Sequence, residues 1–126
     1  MRAVDTNVLV RLLMVDHAAQ ARAAEAYVSG GVWVSHLVLA ETAWVLKTVY
    51  RHSPTQILAA ISVLVDMDAL VIENPDVVKS ALEHFGARRK NSFSDCLNLE
   101  IARKAGHLPV GTFGKDFAKL PDVTRL

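Results

Sequence analysis

The chain has a single cysteine, Cys96, and no apolar run long enough to cross a membrane. One cysteine excludes an internal disulfide and fits a reducing compartment, where such a residue commonly serves as a small buried hydrophobe. The longest apolar run, residues 57–65, is interrupted by Ser62 and is less than half of the roughly 20 residues that a membrane-spanning helix needs. The N-terminus turns polar at Asp5 and lacks a signal-peptide pattern. We therefore expect a cytoplasmic protein that does not associate with membranes.

Several signatures of metal, nucleotide and nucleic-acid binding are also missing. The five histidines have no paired spacing and there is no second cysteine, so zinc binding is not expected. Neither glycine-rich phosphate-binding motif occurs, and a formal net charge of +1 creates no global field that would attract nucleic acid. The only dense basic cluster consists of Arg88, Arg89 and Lys90. Such a cluster suits either a solvated helix end or a contact with phosphate.

The sequence does contain enough apolar material for one core. With 126 residues, 52% of them hydrophobic, we expect a single compact domain over residues 1–126. Short apolar stretches predict strands at 2–5, 32–35, 70–73 and 108–113, with a fifth in the C-terminal VTRL. Helical patterns occupy 7–14, 17–29, 36–51, 54–67, 76–89 and 94–105. Strands separated by helices favour an α/β fold in which a short parallel sheet of four to five strands has helices on both faces.

Several predicted helix boundaries carry recognisable signals. The stretch SPTQ at 53–56 combines a capping serine, a proline at the first helical position and a glutamine three residues after the cap. Asn74 followed by Pro75 repeats the cap-and-proline device, and Gly30 and Gly106 are typical of helix ends. The aromatic side chains are expected in the core rather than as platforms on which RNA bases stack: Trp33, Trp44, Tyr50 and Phe85.

One carboxylate interrupts an otherwise apolar helix. The stretch LVLAETAWVL, residues 37–46, has Glu41 as its only ionisable side chain, and none of its neighbours three or four residues away is a cation. A carboxylate buried among such groups would cost several kcal/mol or take up a proton. Either this face of the helix reaches solvent, or another group such as a cation compensates the charge.

Three further acids lie where a parallel sheet would bring them towards the same edge. Asp5 follows the first predicted strand, Asp95 opens the last helix and Asp116 follows the strand that ends at Thr112, while Glu41 is on the helix after the second strand. Each has an ordinary explanation as a turn, helix-start or loop residue. Together, however, clustered carboxylates would share protons or hold a cation such as Mg²⁺ or Mn²⁺. The hypothesis is metal-assisted hydrolysis of a phosphodiester.

Four stretches together resemble the PIN-domain ribonucleases, and more narrowly the VapC-type toxins of bacterial toxin–antitoxin pairs. They are VDTNVLVRLL (4–13), SHLVLAETAWVL (35–46), FSDCLNLEIARKAG (93–106) and TFGKDF (112–117). Each motif alone is weak, but the four occur in the family's order over nearly the whole chain. The resemblance implies a PIN-like three-layer fold, Mg²⁺-dependent cleavage of RNA, a homodimer and a cognate antitoxin that blocks the site.

The resemblance also implies which residues form the site. Asp5, Glu41 and Asp95 match the three core acids, and Asp116 is the candidate for the fourth. Small polar groups that steady the acids or waters are implied at three positions: Thr6, Asn7 and Thr112. The sequence departs from the family at Gly114, where an acid often stands, and this leaves the second metal position in doubt. Arg88, Arg89 and Lys90 are candidates for contacts with RNA phosphates.

Three alternative functions can be compared with the sequence. A receiver-like signalling domain also has about 120 residues of alternating strands and helices with a Mg²⁺ site, but it needs adjacent acids after the first strand, where this chain has Thr6 and Asn7. A haloacid-dehalogenase phosphatase needs D-x-D at the same place. A PIN fold that has lost activity and works only as a binding module is made conceivable by Gly114.

Overall fold

A computed structural model of the protein describes residues 1–126, which form two compact units, residues 1–73 and residues 74–126. The first unit alternates short strands with helices: β1 (Arg2–Ala3), α1 (Thr6–Leu13), α2 (Ala18–Val28), β2 (Val32–Val34), α3 (His36–Thr48), α4 (Pro54–Asp66) and β3 (Leu70–Ile72). Its three strands are parallel in the order β1-β2-β3. The core of this unit is aliphatic: Leu9, Leu39, Leu46, Ile61 and Leu64 are completely buried.

The second unit contains two long helices and a two-stranded sheet. Its elements are α5 (Pro75–Ala87), α6 (Phe93–Ala105), β4 (Val110–Thr112), a short 3₁₀ helix (Phe117–Lys119) and β5 (Val123–Arg125). Strands β4 and β5 are parallel, with Val110 opposite Val123. Phe85 of α5 and Phe93 of α6 are buried and meet edge to face with ring centroids 6.2 Å apart. This aromatic pair contributes to the core that joins the two helices.

The predicted α/β class with parallel strands is confirmed, and all six helices lie within two or three residues of their predicted bounds. The five strands form one three-stranded and one two-stranded sheet, where the sequence predicts a single sheet of four to five strands. The reason is that β4 pairs with β5, the C-terminal strand of its own unit. None of the six helices is both long and apolar enough to span a lipid bilayer.

The helix ends show which boundary signals act as expected. Ser53 and Gln56 form the predicted capping box, since the backbone N–H of each donates to the side chain of the other, at 2.8 and 3.2 Å. Gly106 ends α6 in the left-handed conformation with φ of 84°. The left-handed glycine after α2 is Gly31 rather than the predicted Gly30. Asn74 does not cap α5, because with φ of 38° its side chain makes no hydrogen bond to the first turn.

Two of the four aromatic residues predicted to be buried are on the surface. Trp44 is 64% exposed and Trp33 is 39% exposed, whereas Phe85 is buried as predicted. The reason for Trp44 is the direction of α3, which buries five other positions against its unit: His36, Leu39, Thr42, Ala43 and Leu46. Trp33 alternates with buried Val32 and Val34 along β2, and therefore points to the opposite face of the strand.

Candidate active site

The first candidate acid stands between β1 and α1. Asp5 has an extended backbone, and its Oδ1 accepts a hydrogen bond from the backbone N–H of Val8 at 3.3 Å, so it caps the helix. The side chain is exposed and forms no ion pair. Asp5 is therefore more than a turn residue, because its carboxylate is fixed at the start of α1 while the rest of its surface faces water.

The second candidate acid is tied to the residue that follows Asp5. Thr6 is buried, and its hydroxyl donates a hydrogen bond of 2.8 Å to Oε2 of Glu41 on α3. Glu41 itself is exposed and has no cationic partner. This face of the helix reaches solvent, since Leu37, one turn earlier on the same face, is also 68% exposed. Water and the Thr6 hydroxyl solvate this charge, and the carboxylate stays accessible to a cation.

Asn7 faces a different feature of the first unit. It lines a cleft of about 470 Å³ between α1 and α2 and makes no hydrogen bond to Asp5 or Glu41. Arg11 in the same cleft donates to Gln20 at 2.6 Å and to Asp16 at 2.9 Å. The hydroxyl of Tyr50 also donates to Asp16, and these contacts lower the pKa of that carboxyl. No local sequence pattern predicts this cluster, because Tyr50 is 34 positions from Asp16.

In the second unit, Asp95 lies in the first turn of α6. Its backbone N–H donates to the hydroxyl of Ser92, the N-cap residue, at 3.1 Å. A negative charge is favourable at this end of a helix. The Asp95 side chain is exposed and has no cationic partner. The neighbouring Cys96 is completely buried as predicted, and burial raises the pKa of its thiol to about 11, so it is not a nucleophile at neutral pH.

Asp116 is more strongly engaged than the other three acids. It is half-buried at the start of the 3₁₀ helix, and its Oδ1 lies 3.4 Å from Nζ of Lys119. The hydroxyl oxygen of Thr112, at the end of β4, accepts a hydrogen bond of 2.9 Å from the backbone N–H of Gly114. The backbone of Gly114 is not left-handed, and a Cβ placed there would lie 3.2 Å from that hydroxyl oxygen. A side chain at position 114 would thus start directly beside Thr112.

The basic cluster forms the turn between α5 and α6. Arg88 is the C-cap of α5, and Arg89 and Lys90 follow it; all three side chains are exposed. A positive charge is favourable at the end of a helix, as the ordinary explanation requires. Asn91 comes next and is buried, and its Nδ2 has no hydrogen-bond partner. The cluster also directly precedes the start of α6, where Asp95 lies, so either interpretation suits its position.

An ion network around the buried Glu100 of the second unit was not predicted. Glu100 is only 7% exposed, and its Oε2 accepts from Nε of Arg103 at 2.8 Å. Arg103 also donates to Asp122 at 2.7 Å, and the two carboxylates raise the pKa of the guanidinium. The spacing of Glu100 and Arg103 is a sequence signal that could have found half of this network. The network joins α6 to the residue before β5 and is structural.

The donor chemistry of the acids fits a hard divalent cation. Asp5 and Glu41 in the first unit, and Asp95 in the second, present exposed carboxylate oxygens with no cationic partner. Mg²⁺ is commonly held by one or two carboxylates, with waters and substrate phosphates completing its shell. Asp116 fits less well, because Lys119 already neutralises part of its charge. No group of three or more histidine, cysteine, aspartate or glutamate side chains lies close enough to hold a metal by itself.

The chain is an α/β protein with short parallel strands. It presents exposed carboxylates at the starts of helices α1 and α6 and on the surface of helix α3. Residues 2–123 match the family model described as PIN domain, and the chain belongs to that family. The predicted PIN fold is therefore confirmed, and the receiver-like and phosphatase alternatives are wrong.

Individual proteins that resemble the chain were sought among curated sequences and solved structures. No curated protein matches the chain. Among solved structures, the chain is similar to Mycobacterium tuberculosis VapC20, described as a Sarcin-Ricin loop cleaving toxin, with 23% sequence identity, 100% of both chains covered and a TM-score of 0.45. At this score the likeness carries no information about the site.

Proposed function

We propose that this PIN-domain protein is a metal-dependent endoribonuclease that hydrolyses RNA phosphodiester bonds with Mg²⁺, for which Mn²⁺ can substitute. The observation that carries the proposal is the hydrogen bond from Thr6 to Glu41. It fixes an exposed carboxylate of α3 against the residue that follows Asp5, and neither acid has a cationic partner. Both acids are thus attached to the same short segment, and exposed carboxylates without cationic partners are suitable ligands for a divalent cation.

The candidate residues have separate roles in this proposal. Asp5 and Glu41 of the first unit would ligate the ion; the family resemblance implies Asp95 as a further ligand and Asp116 as weaker support, because Asp116 already pairs with Lys119. When bound, the ion would activate a water and neutralise charge on the attacked phosphate. Thr6 keeps the Glu41 carboxylate in one orientation through its hydroxyl. Thr112 holds the backbone of the loop that leads to Asp116, through its bond to the N–H of Gly114.

The finer parts of the proposal concern partners. We propose that the protein is a homodimer and the toxin of a toxin–antitoxin pair, since the four motifs resemble the VapC-type branch of the family. A cognate antitoxin would block the acidic site, and a segment bearing arginine is suited to this because guanidinium pairs well with carboxylates. The single-domain organisation over residues 1–126 is likewise a proposal, and it is supported by one family model that spans residues 2–123.

The decisive experiment is cleavage of total cellular RNA, with and without Mg²⁺, by matched variants. Asp5→Asn and Asp95→Asn each remove one charge with little change in volume, and we expect both to abolish nearly all cleavage. Asp68→Asn is the control, because Asp68 is also exposed and belongs to none of the motifs. Circular dichroism should show that all three variants are folded. Unchanged cleavage by Asp5→Asn or Asp95→Asn, or full activity in excess EDTA, would refute the assignment.

A second candidate function, a PIN fold that acts only as a binding module, is favoured by the glycine at position 114. Growth of a bacterial host separates the two functions. A toxin expressed without its antitoxin should slow growth, and the Asp5→Asn form should not. Equal growth with both proteins, together with an absence of RNA cleavage in vitro, would support the binding module.

A further inference from the structure

The surface of α3 beside Glu41 carries a large aromatic side chain that the first unit does not use for packing. Trp44 is 64% exposed, and its indole makes no hydrogen bond, ring contact or cation contact. Tryptophan is usually well buried, so an indole left in water beside a candidate catalytic acid requires an explanation. The following inference rests on the proposed function as a ribonuclease.

The helical spacing places Trp44 next to Glu41. Residues three apart on a helix have Cβ atoms about 5–6 Å from each other, so the indole stands about one turn from the carboxylate that Thr6 holds. Helix α3 turns its buried side, which includes Leu39 and Leu46, towards the core of the unit. Trp44 and Glu41 therefore share the solvent-facing side of a well-anchored helix. A group bound at Glu41 would have the indole within reach.

The charges around Trp44 favour a nucleotide as the occupant of this surface. Lys47 lies three residues beyond Trp44, is exposed and forms no ion pair. The exposed side of α3 thus presents a carboxylate, an aromatic ring and an ammonium group in successive steps of three residues. Leu37 and Val49 are exposed as well, but Glu41 lies between Leu37 and Trp44, and Lys47 and Thr48 lie between Trp44 and Val49, so the helix lacks the continuous apolar stripe that a partner helix would need. Single-stranded RNA combines a flat base, which stacks on aromatic rings, with phosphates that an ammonium group neutralises.

We propose that Trp44 stacks on one base of the RNA substrate, next to the phosphate that is attacked at the acidic site, and that Lys47 neutralises a neighbouring phosphate. Trp44 is then a substrate-binding residue that sets the position of the chain relative to Glu41. Because every base has a stackable face, this contact gives affinity and position with little discrimination between bases.

Binding measurements with substitutions at Trp44 test the proposal. They use the full chain carrying Asp95→Asn, so that RNA is not cleaved, and a single-stranded RNA of about ten nucleotides. Trp44→Leu retains an apolar side chain without a ring, and we expect it to raise the RNA Kd by about 5- to 150-fold. Trp44→Phe retains a smaller ring and should recover most of the affinity. Leu37→Ala is the matched control, because Leu37 is equally exposed on the same face, and its Kd should equal that of the parent.

A fluorescence titration gives a readout that a purely structural role would not change. The chain has two tryptophans, so Trp33→Phe leaves Trp44 as the only one. Stacking of a base on the indole should quench its emission as RNA is added, with the same Kd as the direct binding measurement. Lys47→Ala should weaken binding and reduce its dependence on salt, while the quenching at saturation remains.

The possible results are distinct. An unchanged Kd in Trp44→Leu, or no quenching at saturating RNA, would overturn the role of Trp44 while leaving the ribonuclease proposal in place. If the parent chain neither binds nor cleaves RNA, the proposed function fails and this inference fails with it. If Trp44→Leu and Leu37→Ala both change the sedimentation coefficient, the face contacts a second copy of the chain, and stacking on RNA is refuted.

Discussion

The hydrogen bond between Thr6 and Glu41 can be removed with little change in packing, by the substitution Thr6→Val. A hydrogen bond to a charged group contributes about 1.5–3 kcal/mol, but one partner here is exposed, and water competes for its oxygens. We therefore expect the free energy of unfolding to fall by about 0.5–1 kcal/mol. For a chain of this length the change corresponds to a decrease in Tm of about 2–4 °C.

A double-mutant cycle separates the bond itself from other effects of the new methyl group. Thr6→Val and Glu41→Ala are made singly and together, and unfolding is measured in urea. The two changes should be non-additive by about 0.5–1 kcal/mol, since the second removes a bond that the first has already broken. Thr6→Ser is the control, because it retains the hydroxyl and should retain most of the coupling with Glu41.

The same variants connect the bond to catalysis. Groups that orient a metal ligand typically contribute 10- to 100-fold to activity, so Thr6→Val should lower the rate of RNA cleavage by roughly tenfold or more while Thr6→Ser changes it little. Cleavage by Thr6→Val at the parent rate, together with additive unfolding energies, would refute the reasoning. The 2.8 Å contact would then have no role in holding the carboxylate of Glu41.

Three further predictions concern other parts of the chain. If the basic cluster binds RNA phosphates, the double substitution Arg88→Glu and Lys90→Glu should raise the RNA Kd. It should also reduce the slope of log Kd against log salt concentration by roughly one to two units, whereas reversing the charge of the exposed Lys79 should change neither quantity. Gly114→Asp should tighten Mn²⁺ binding in titration calorimetry, because it adds a carboxylate ligand at a position whose backbone is not left-handed and so accepts a side chain. Unchanged affinity in a folded variant would show that position 114 supplies no ligand. Burial raises the pKa of the Cys96 thiol from an ordinary 9.0 to about 11, so we expect slow alkylation at neutral pH in the folded protein and fast alkylation in urea. The free energy of unfolding should fall as pH rises from 9.0 to about 11, because the unfolded chain loses the thiol proton before the folded one does.

The helices could be predicted from the sequence because the residues at their ends form capping contacts with their near neighbours in the chain. Ser53 with Gln56 and the left-handed Gly106 both act through contacts within one turn. Asn74 was misleading, since the same residue type that caps a helix also tolerates a positive φ, and here the second property prevails. The division of the strands into two sheets could not be predicted, because pairing depends on contacts between segments distant in the sequence.

The candidate site was predicted in part for the same reason. The four acids could be found from their positions after strands and at helix starts. The bond from Thr6 to Glu41 joins residues 35 positions apart, and no local pattern announces it. The prediction that Trp44 is buried was wrong. Apolar residues occupy every side of helix α3, so the sequence does not distinguish its buried face from its solvent-facing one. The ion pair of Asp116 with Lys119 has helical spacing and could have been predicted.

The left-handed Asn74 at the start of α5 has a consequence for hydrogen exchange. At the start of α1, α2, α3, α4 and α6 a backbone N–H donates a hydrogen bond to a capping side chain, whereas the start of α5 has no such bond. Pro75 limits the damage because it has no N–H to leave unpaired, and the N–H of Val77 donates to the carbonyl of Asn74 at 3.0 Å. The N–H of Asp76 receives no cap from the side chain of Asn74. We therefore expect the first turn of α5 to open by local fluctuation and its amides to take up deuterium sooner than those at the other helix starts.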